Sequence, residues 1–244
     1  MSARKRLLAV VCALLLWVGP LEAAVAVVNV YTGQEAADNT LIAPSVVIGA
    51  SQKALCLISW RANSGITLDI VTFNGSGTGV AALLNNGEDA NGLGLSVVLV
   101  SGVTGTGDVL ATFSTTVLDS KITCLVLSGA GTPGAITVDT PGTGTSTAAT
   151  PVSGSAGGMF FDMVHVRLPV SGSLVPAGSQ TSRSVLETAT FHTHGTSTLP
   201  GAANANMQWS WTGDALWSHL ALHVPSDTAP TTCQGRILLL NMGC

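Results

Sequence analysis

The feature that most constrains this chain is its punctuation. Short runs of β-branched and aliphatic residues are broken throughout by clusters of Gly, Pro, Asn, Asp and Ser, and past the first residues no helical apolar period is sustained. Such a chain is built from strands and turns. The pattern predicts strands over 25–31, 45–49, 54–60, 66–73, 79–84, 94–100, 108–115, 121–128, 135–138, 159–168, 184–193, 206–212 and 215–224. Many short strands at this spacing predict an all-β protein, a two-sheet antiparallel β-sandwich of jelly-roll-like form.

Alternation within the strands says which side chains face inward. Ile66, Leu68 and Ile70 share a face opposite Thr67 and Asp69; Val109, Ala111 and Phe113 oppose Thr112 and Ser114. By contrast, Ala54-Leu-Cys-Leu-Ile58 and Cys124-Leu-Val-Leu127 are apolar on both sides, which predicts central strands whose second face is covered by another element or a partner.

Residues 1–23 read as a signal peptide: Arg4-Lys5-Arg6, an apolar run from Leu7 to Val18, then Gly19-Pro20 and small residues suited to cleavage. The run is too short to span a bilayer, so the membrane enters only through export. An exported chain meets oxidising conditions. Removal of Cys12 with the leader leaves Cys56, Cys124, Cys233 and Cys244; of the three pairings open to them the reading favours Cys56 with Cys124 and Cys233 with Cys244, with Cys56 and Cys124 as buried free thiols the alternative. The net charge is −4, with nine Lys and Arg, three of them in the leader, so there is no basic stripe for nucleic acid.

The stretch 129–158 is nearly all Gly, Ala, Thr, Ser and Pro; it reads as a long connection inside one sandwich spanning 24–225, with an interdomain linker as the alternative. Residues 226–244 read as a tail whose apolar segment Arg236-Ile-Leu-Leu-Leu-Asn241 forms a last strand, within the subunit or in a neighbour.

Searching for chemistry yields little. No Gly-x-Ser-x-Gly elbow is present, and the glycine-rich Gly75-Ser-Gly-Thr-Gly and Gly102-Val-Thr-Gly-Thr-Gly lack the Lys-Ser/Thr and helix of a phosphate loop. No carboxylate pair stands out for glycoside hydrolysis, and Glu88-Asp89 reads as part of a polar turn. The chain therefore reads as non-enzymatic, without cofactor or metal. His192 and His194 share one strand face, and His219 and His223 share another with Trp217, opposite Leu220 and Leu222. They read as solvent-facing pairs; four converging imidazoles would be the sharper alternative. Trp209 and Trp211 share one side of a strand that a hairpin joins to Trp217, and these rings are either core packing or a platform for sugars. Trp217, His219, His223, His192 and His194 are thus the candidate binding residues.

The order Val71-Thr-Phe-Asn-Gly75, Leu95-Ser-Val-Val-Leu-Val-Ser101, Gly105-Thr-Gly-Asp-Val-Leu-Ala-Thr-Phe113, Leu127-Ser-Gly129, Met207-Gln-Trp-Ser-Trp211 and Trp217-Ser-His-Leu-Ala-Leu-His223 resembles a loose group of β-sandwich modules of bacterial secreted and phage virion proteins. The resemblance implies a sandwich and an extracellular or virion-surface setting. The expected function is an extracellular structural or adhesive protein, self-assembling or bound to other surface proteins, with glycan binding or a virion surface role as alternatives.

Overall fold

The computed structural model describes residues 24–62, 65–86, 89, 92–140, 144–168, 170, 172–188 and 192–227. Residues 1–23, read as a signal peptide, together with Cys233, Cys244 and the apolar tail segment, lie outside these residues. The fold is all-β and antiparallel, as the alternation predicts.

The first half contains β1 (Ala26–Ala36), β2 (Thr40–Ile48), β3 (Lys53–Arg61), β4 (Leu68–Phe73), β5 (Val80–Asn86), β6 (Leu93–Val100), β7 (Gly105–Phe113) and β8 (Asp119–Ser128). They form a five-stranded sheet, β1-β8-β3-β6-β5, facing a three-stranded sheet, β2-β7-β4. The second half contains β9 (Ile136–Asp139), β10 (Thr145–Ser153), β11 (Met159–Val166), β12 (Val175–Pro176), β13 (Thr181–Glu187), β14 (Thr193–Pro200), β15 (Asn204–Ala215) and β16 (Trp217–Val224). Its sheets run β9-β16-β11-β14-β13 and β10-β15-β12. Each strand in the second half thus holds the place of the strand eight positions earlier, so the chain repeats one jelly-roll topology twice.

Where the sequence reading has one two-sheet sandwich over 24–225, four sheets are stacked. The stretch 129–158, read as a connection with one short strand at 135–138, supplies β9 close to that place and also β10 of the second unit. Its small residues still alternate: Ala148, Thr150 and Val152 point inward while Thr147, Ala149 and Pro151 are exposed. The facing of β4 also differs, where a register shift between Leu68 and Ile70 turns Ile70 outward, leaving Val71 and Phe73 buried.

Three apolar layers hold the stack. Within the first unit lie Leu41, Trp60, Phe113 and Ile122, and within the second Val164, Trp209, Trp211 and Trp217. Between the units, Leu55, Leu57, Leu95, Val97 and Leu125 meet Phe161, Met163, Leu220 and Leu222. This third layer explains why β3 and β8 read as apolar on both faces: each lies in a five-stranded sheet covered on one side by its own partner sheet and on the other by the second unit. Inside the first unit the paired strands β3 and β8 carry a Cys56–Cys124 disulfide with an S–S distance of 2.06 Å. Trp60 lies flat against Gly94, where a Cβ would come 2.0 Å from the indole, so only glycine fits there.

Candidate functional site: a polar seam between the sandwiches

Only part of the layer between the two units is apolar. The strand alternation that points Leu55 and Leu57 of β3 at the second unit also points Ser59 and Arg61 there. On β8 it likewise aligns Asp119, Lys121 and Thr123 with Leu125 and Leu127. From the opposite side come His165 of β11, following Phe161 and Met163, and His194 and Thr196 of β14. Residues near one end of each strand therefore build a polar seam that continues the apolar layer.

The seam is dry and tightly bonded. Ser59, Asp119, Lys121, Thr123, His165, His192 and His194 are all buried at 0% exposure. The Lys121 ammonium donates to Asp119 Oδ2 at 2.5 Å and lies 3.2 Å from Thr188 Oγ1 and 3.4 Å from His192 Nε2. Thr188 also donates to Asp119. His192 Nδ1 sits 2.9 Å from the same carboxylate oxygen, a close approach that lacks the alignment of a formed hydrogen bond. Ser59 Oγ is 2.8 Å from His194 Nδ1 and 3.4 Å from His192 Nε2. The chain of contacts runs on through His194 Nε2 to Thr123 at 3.1 Å, then to Ser184 and Thr196 at 2.7 Å each. Both ring nitrogens of His165 lack a hydrogen-bond partner, although its ring stacks 4.1 Å from that of His192.

Burial dominates the acid–base character of the seam. It pulls His165 and His192 well below the usual imidazole range and His194 down to about 3, with the Lys121 charge adding to the effect. Lys121 is also lowered by burial, against the opposing pull of Asp119. All three imidazoles are thus neutral at pH 7. Because an ammonium can only donate, His192 Nε2 accepts and its proton sits on Nδ1, toward Asp119.

Ser59, His192 and Asp119 are the residue types of a nucleophile, base and orienting acid. Two observations weigh against catalysis by them as they stand. The Ser59 hydroxyl lies nearer His194 than His192, and Lys121 competes for the nitrogen that would take its proton. No cavity described in the structure is lined by Ser59 or His192.

A second polar group is enclosed within the second unit. Asp162 accepts from Ser197 N at 2.9 Å, Ser197 Oγ at 2.6 Å, Trp209 Nε1 at 2.9 Å, Gln180 Nε2 at 3.2 Å and His219 Nε2 at 3.1 Å. On its other side, His219 Nδ1 lies 2.8 Å from Thr150 Oγ1.

The candidate binding residues read from sequence are therefore placed differently from expectation. His192 and His194 are brought together, with His165, but inside the seam instead of in solvent. His219 and His223 point the other way, into the second sandwich, because both faces of β16 are covered. The four imidazoles do not converge, and among the described residues no group of three or more His, Cys, Asp and Glu is arranged to hold a metal ion. Trp217 is 4% exposed and its indole donates to Thr145 Oγ1 at 2.7 Å; Trp60, Trp209 and Trp211 are buried too. The rings thus form core, with none free to stack on a sugar. His223 is 7% exposed, accepts from Ser155 N at 3.3 Å and borders an open groove of about 480 Å³ with Gly134, Val152 and Asn204. Ser59, Asp119, Lys121, His165 and Asp162 were missed by the sequence reading. The available signal was a charged residue set within an otherwise apolar strand, as in Met159-Phe-Phe-Asp-Met-Val-His-Val166.

No protein-family model, no curated protein and no solved structure matches the chain.

Proposed function

We propose that this chain is an exported, non-enzymatic structural or adhesive protein that acts through the outer surfaces of a rigid four-sheet body. One observation carries the reading: the cluster of Ser59, Asp119, Lys121, His192 and His194, the residue types of acid–base and nucleophilic chemistry, is at zero exposure between the sandwiches, where its members contact one another. Facing outward instead are flat strands of Thr, Ser, Ala and Ile, including Ile42, Val47 and Ile70 at 38–53% exposure on the first outer sheet. The Cys56–Cys124 disulfide fits an oxidising compartment and supports export through the N-terminal leader. Analytical ultracentrifugation of the mature chain over a wide concentration range tests the self-assembling part of the proposal. Mass-dependent association is expected; a strict monomer throughout removes self-assembly and leaves adhesion to other surface proteins.

A second reading is a serine hydrolase whose centre, Ser59, His192 and Asp119, becomes accessible on separation of the two units. Labelling with a fluorophosphonate probe decides between the two. Labelling abolished by Ser59→Ala favours the hydrolase, and an unlabelled protein favours the structural reading.

A further inference from the structure

Beyond one closed end of the polar seam lies a surface cavity lined by arginine. Arg61 ends β3 and Arg167 follows β11, each two residues beyond a seam residue, Ser59 and His165, on the same strand face. With Leu168, Asp214, Ala215 and Leu216 they line a cavity of about 410 Å³. The two guanidiniums belong to different sandwiches and lie close enough that the Arg167 charge, after burial, helps to depress Arg61. The Asp119 charge pulls Arg61 the other way, yet the two like charges still repel across the cavity, which suits it to an anion.

We propose that this cavity is an oxyanion-binding site in which Arg61 and Arg167, one from each jelly roll, clamp a sulfate, phosphate or carboxylate group. Three observations on different footings support it. The first is economy of charge: the described residues contain five Lys and Arg, and three of them, Arg61, Lys121 and Arg167, line this seam. A chain of net charge −4 otherwise repels anions. The second is pairing. Lys121 is matched by Asp119, whereas Arg167 makes no ion pair among the described residues. The third is His165, which lies roughly 7 Å inward of Arg167 on the same strand face. It is fully buried with both nitrogens unpartnered, which leaves an unused donor behind the arginines. The planar guanidinium fork suits oxyanions, two at a time. Exposed Leu168 on the rim favours an anionic group carried on a larger, partly apolar molecule over a free ion. Asp214, exposed at the same rim, opposes binding and so supplies a control of opposite sign. The site is independent of whether the chain self-assembles.

The test is titration of the full mature chain with sodium sulfate, inorganic phosphate and glucuronate, followed by calorimetry, with circular dichroism reporting the fold of each variant. Saturable binding of at least one anion is expected. Arg167→Gln and Arg61→Gln should each weaken it about tenfold, as loss of one charged hydrogen-bonding partner does. Asp214→Asn should tighten it about threefold, and Lys53→Gln, at the opposite end of β3 from Arg61, should leave it unchanged. Glucuronate binding without sulfate or phosphate binding would identify a carboxylate ligand, and the reverse a sulfated or phosphorylated one. If Arg61→Gln does not fold, Arg167→Gln and Asp214→Asn decide alone. The proposal is overturned by absence of saturable binding for all three anions, or by binding that ignores Arg167→Gln and Asp214→Asn, or that falls equally in Lys53→Gln.

Discussion

Where a buried polar side chain in this protein is held by partners, the partners set the consequence of removing it. Asp162 gathers five donors from four residues, including the Trp209 indole and His219. Asp162→Ala leaves these donors without an acceptor in a dry interior, a loss of about 3–5 kcal/mol by urea unfolding; a change under 1 kcal/mol would mean that water reaches them. The histidines fix the response to acid. His165, His192 and His194 titrate in the folded protein below the roughly 6.5 of an unfolded chain, chiefly through burial. Between the two values the unfolded state binds more protons, so their contribution is complete above about pH 6.5 and is lost as pH falls, by about 1.4 kcal/mol per pH unit for each. His194 keeps this slope down to about pH 3. The charged and titratable neighbours in the seam, Asp119, Lys121, Arg61 and Glu187, modulate the slope without reversing it. Melting temperature should therefore fall steeply from pH 7 to pH 4, and His194→Gln should flatten the fall by about a third; equal melting at both ends would contradict the burial.

At the level of elements, the disulfide ties β3 to β8 in the middle of the first sandwich, across a sequence separation of 68. Replacing both Cys56 and Cys124 by Ala should cost about 2–4 kcal/mol, read as a lower urea midpoint with a somewhat steeper slope, because the unfolded chain loses its cross-link and exposes more surface. The double-faced apolarity of both strands was legible in the sequence because it leaves a local signature, whereas the pairing was one of three open to four cysteines and needed the strands' register to decide it. The turns were legible too, through Gly, Asn and Asp. What could not be read was long-range pairing. The weakly apolar segment of β10 carries no strand signature of its own and is held by its ladder to β15. The run 184–193 was read as one strand, yet Glu187 and Thr193 face each other across a hairpin, so His192 and His194 belong to its second arm. That one boundary moved both histidines from the expected surface to the seam. The two-fold repetition was hidden for a related reason: the halves share strand order, while the residues filling equivalent places differ, as with Trp60 near the end of β3 and Val166 at the end of β11.

For the whole molecule, the middle layer makes two jelly rolls into one body. Phe161 and Met163 from one unit and Leu57 and Leu125 from the other are fully buried only because the units are stacked. Phe161→Ala should lower stability by about 3–5 kcal/mol and shift one cooperative transition; two separated transitions would show that the units fold independently. The account's central claim is that the polar seam is closed to solvent, its reactive groups serving to join the sandwiches. Treatment of the native protein with diethyl pyrocarbonate at pH 7, with mass mapping of modified histidines, tests that most directly. The account predicts modification confined to His223, the only histidine with any exposure, while His165, His192, His194 and His219 react only after unfolding. Modification of His165, His192 or His194 in the folded chain at the rate of the denatured one would contradict it.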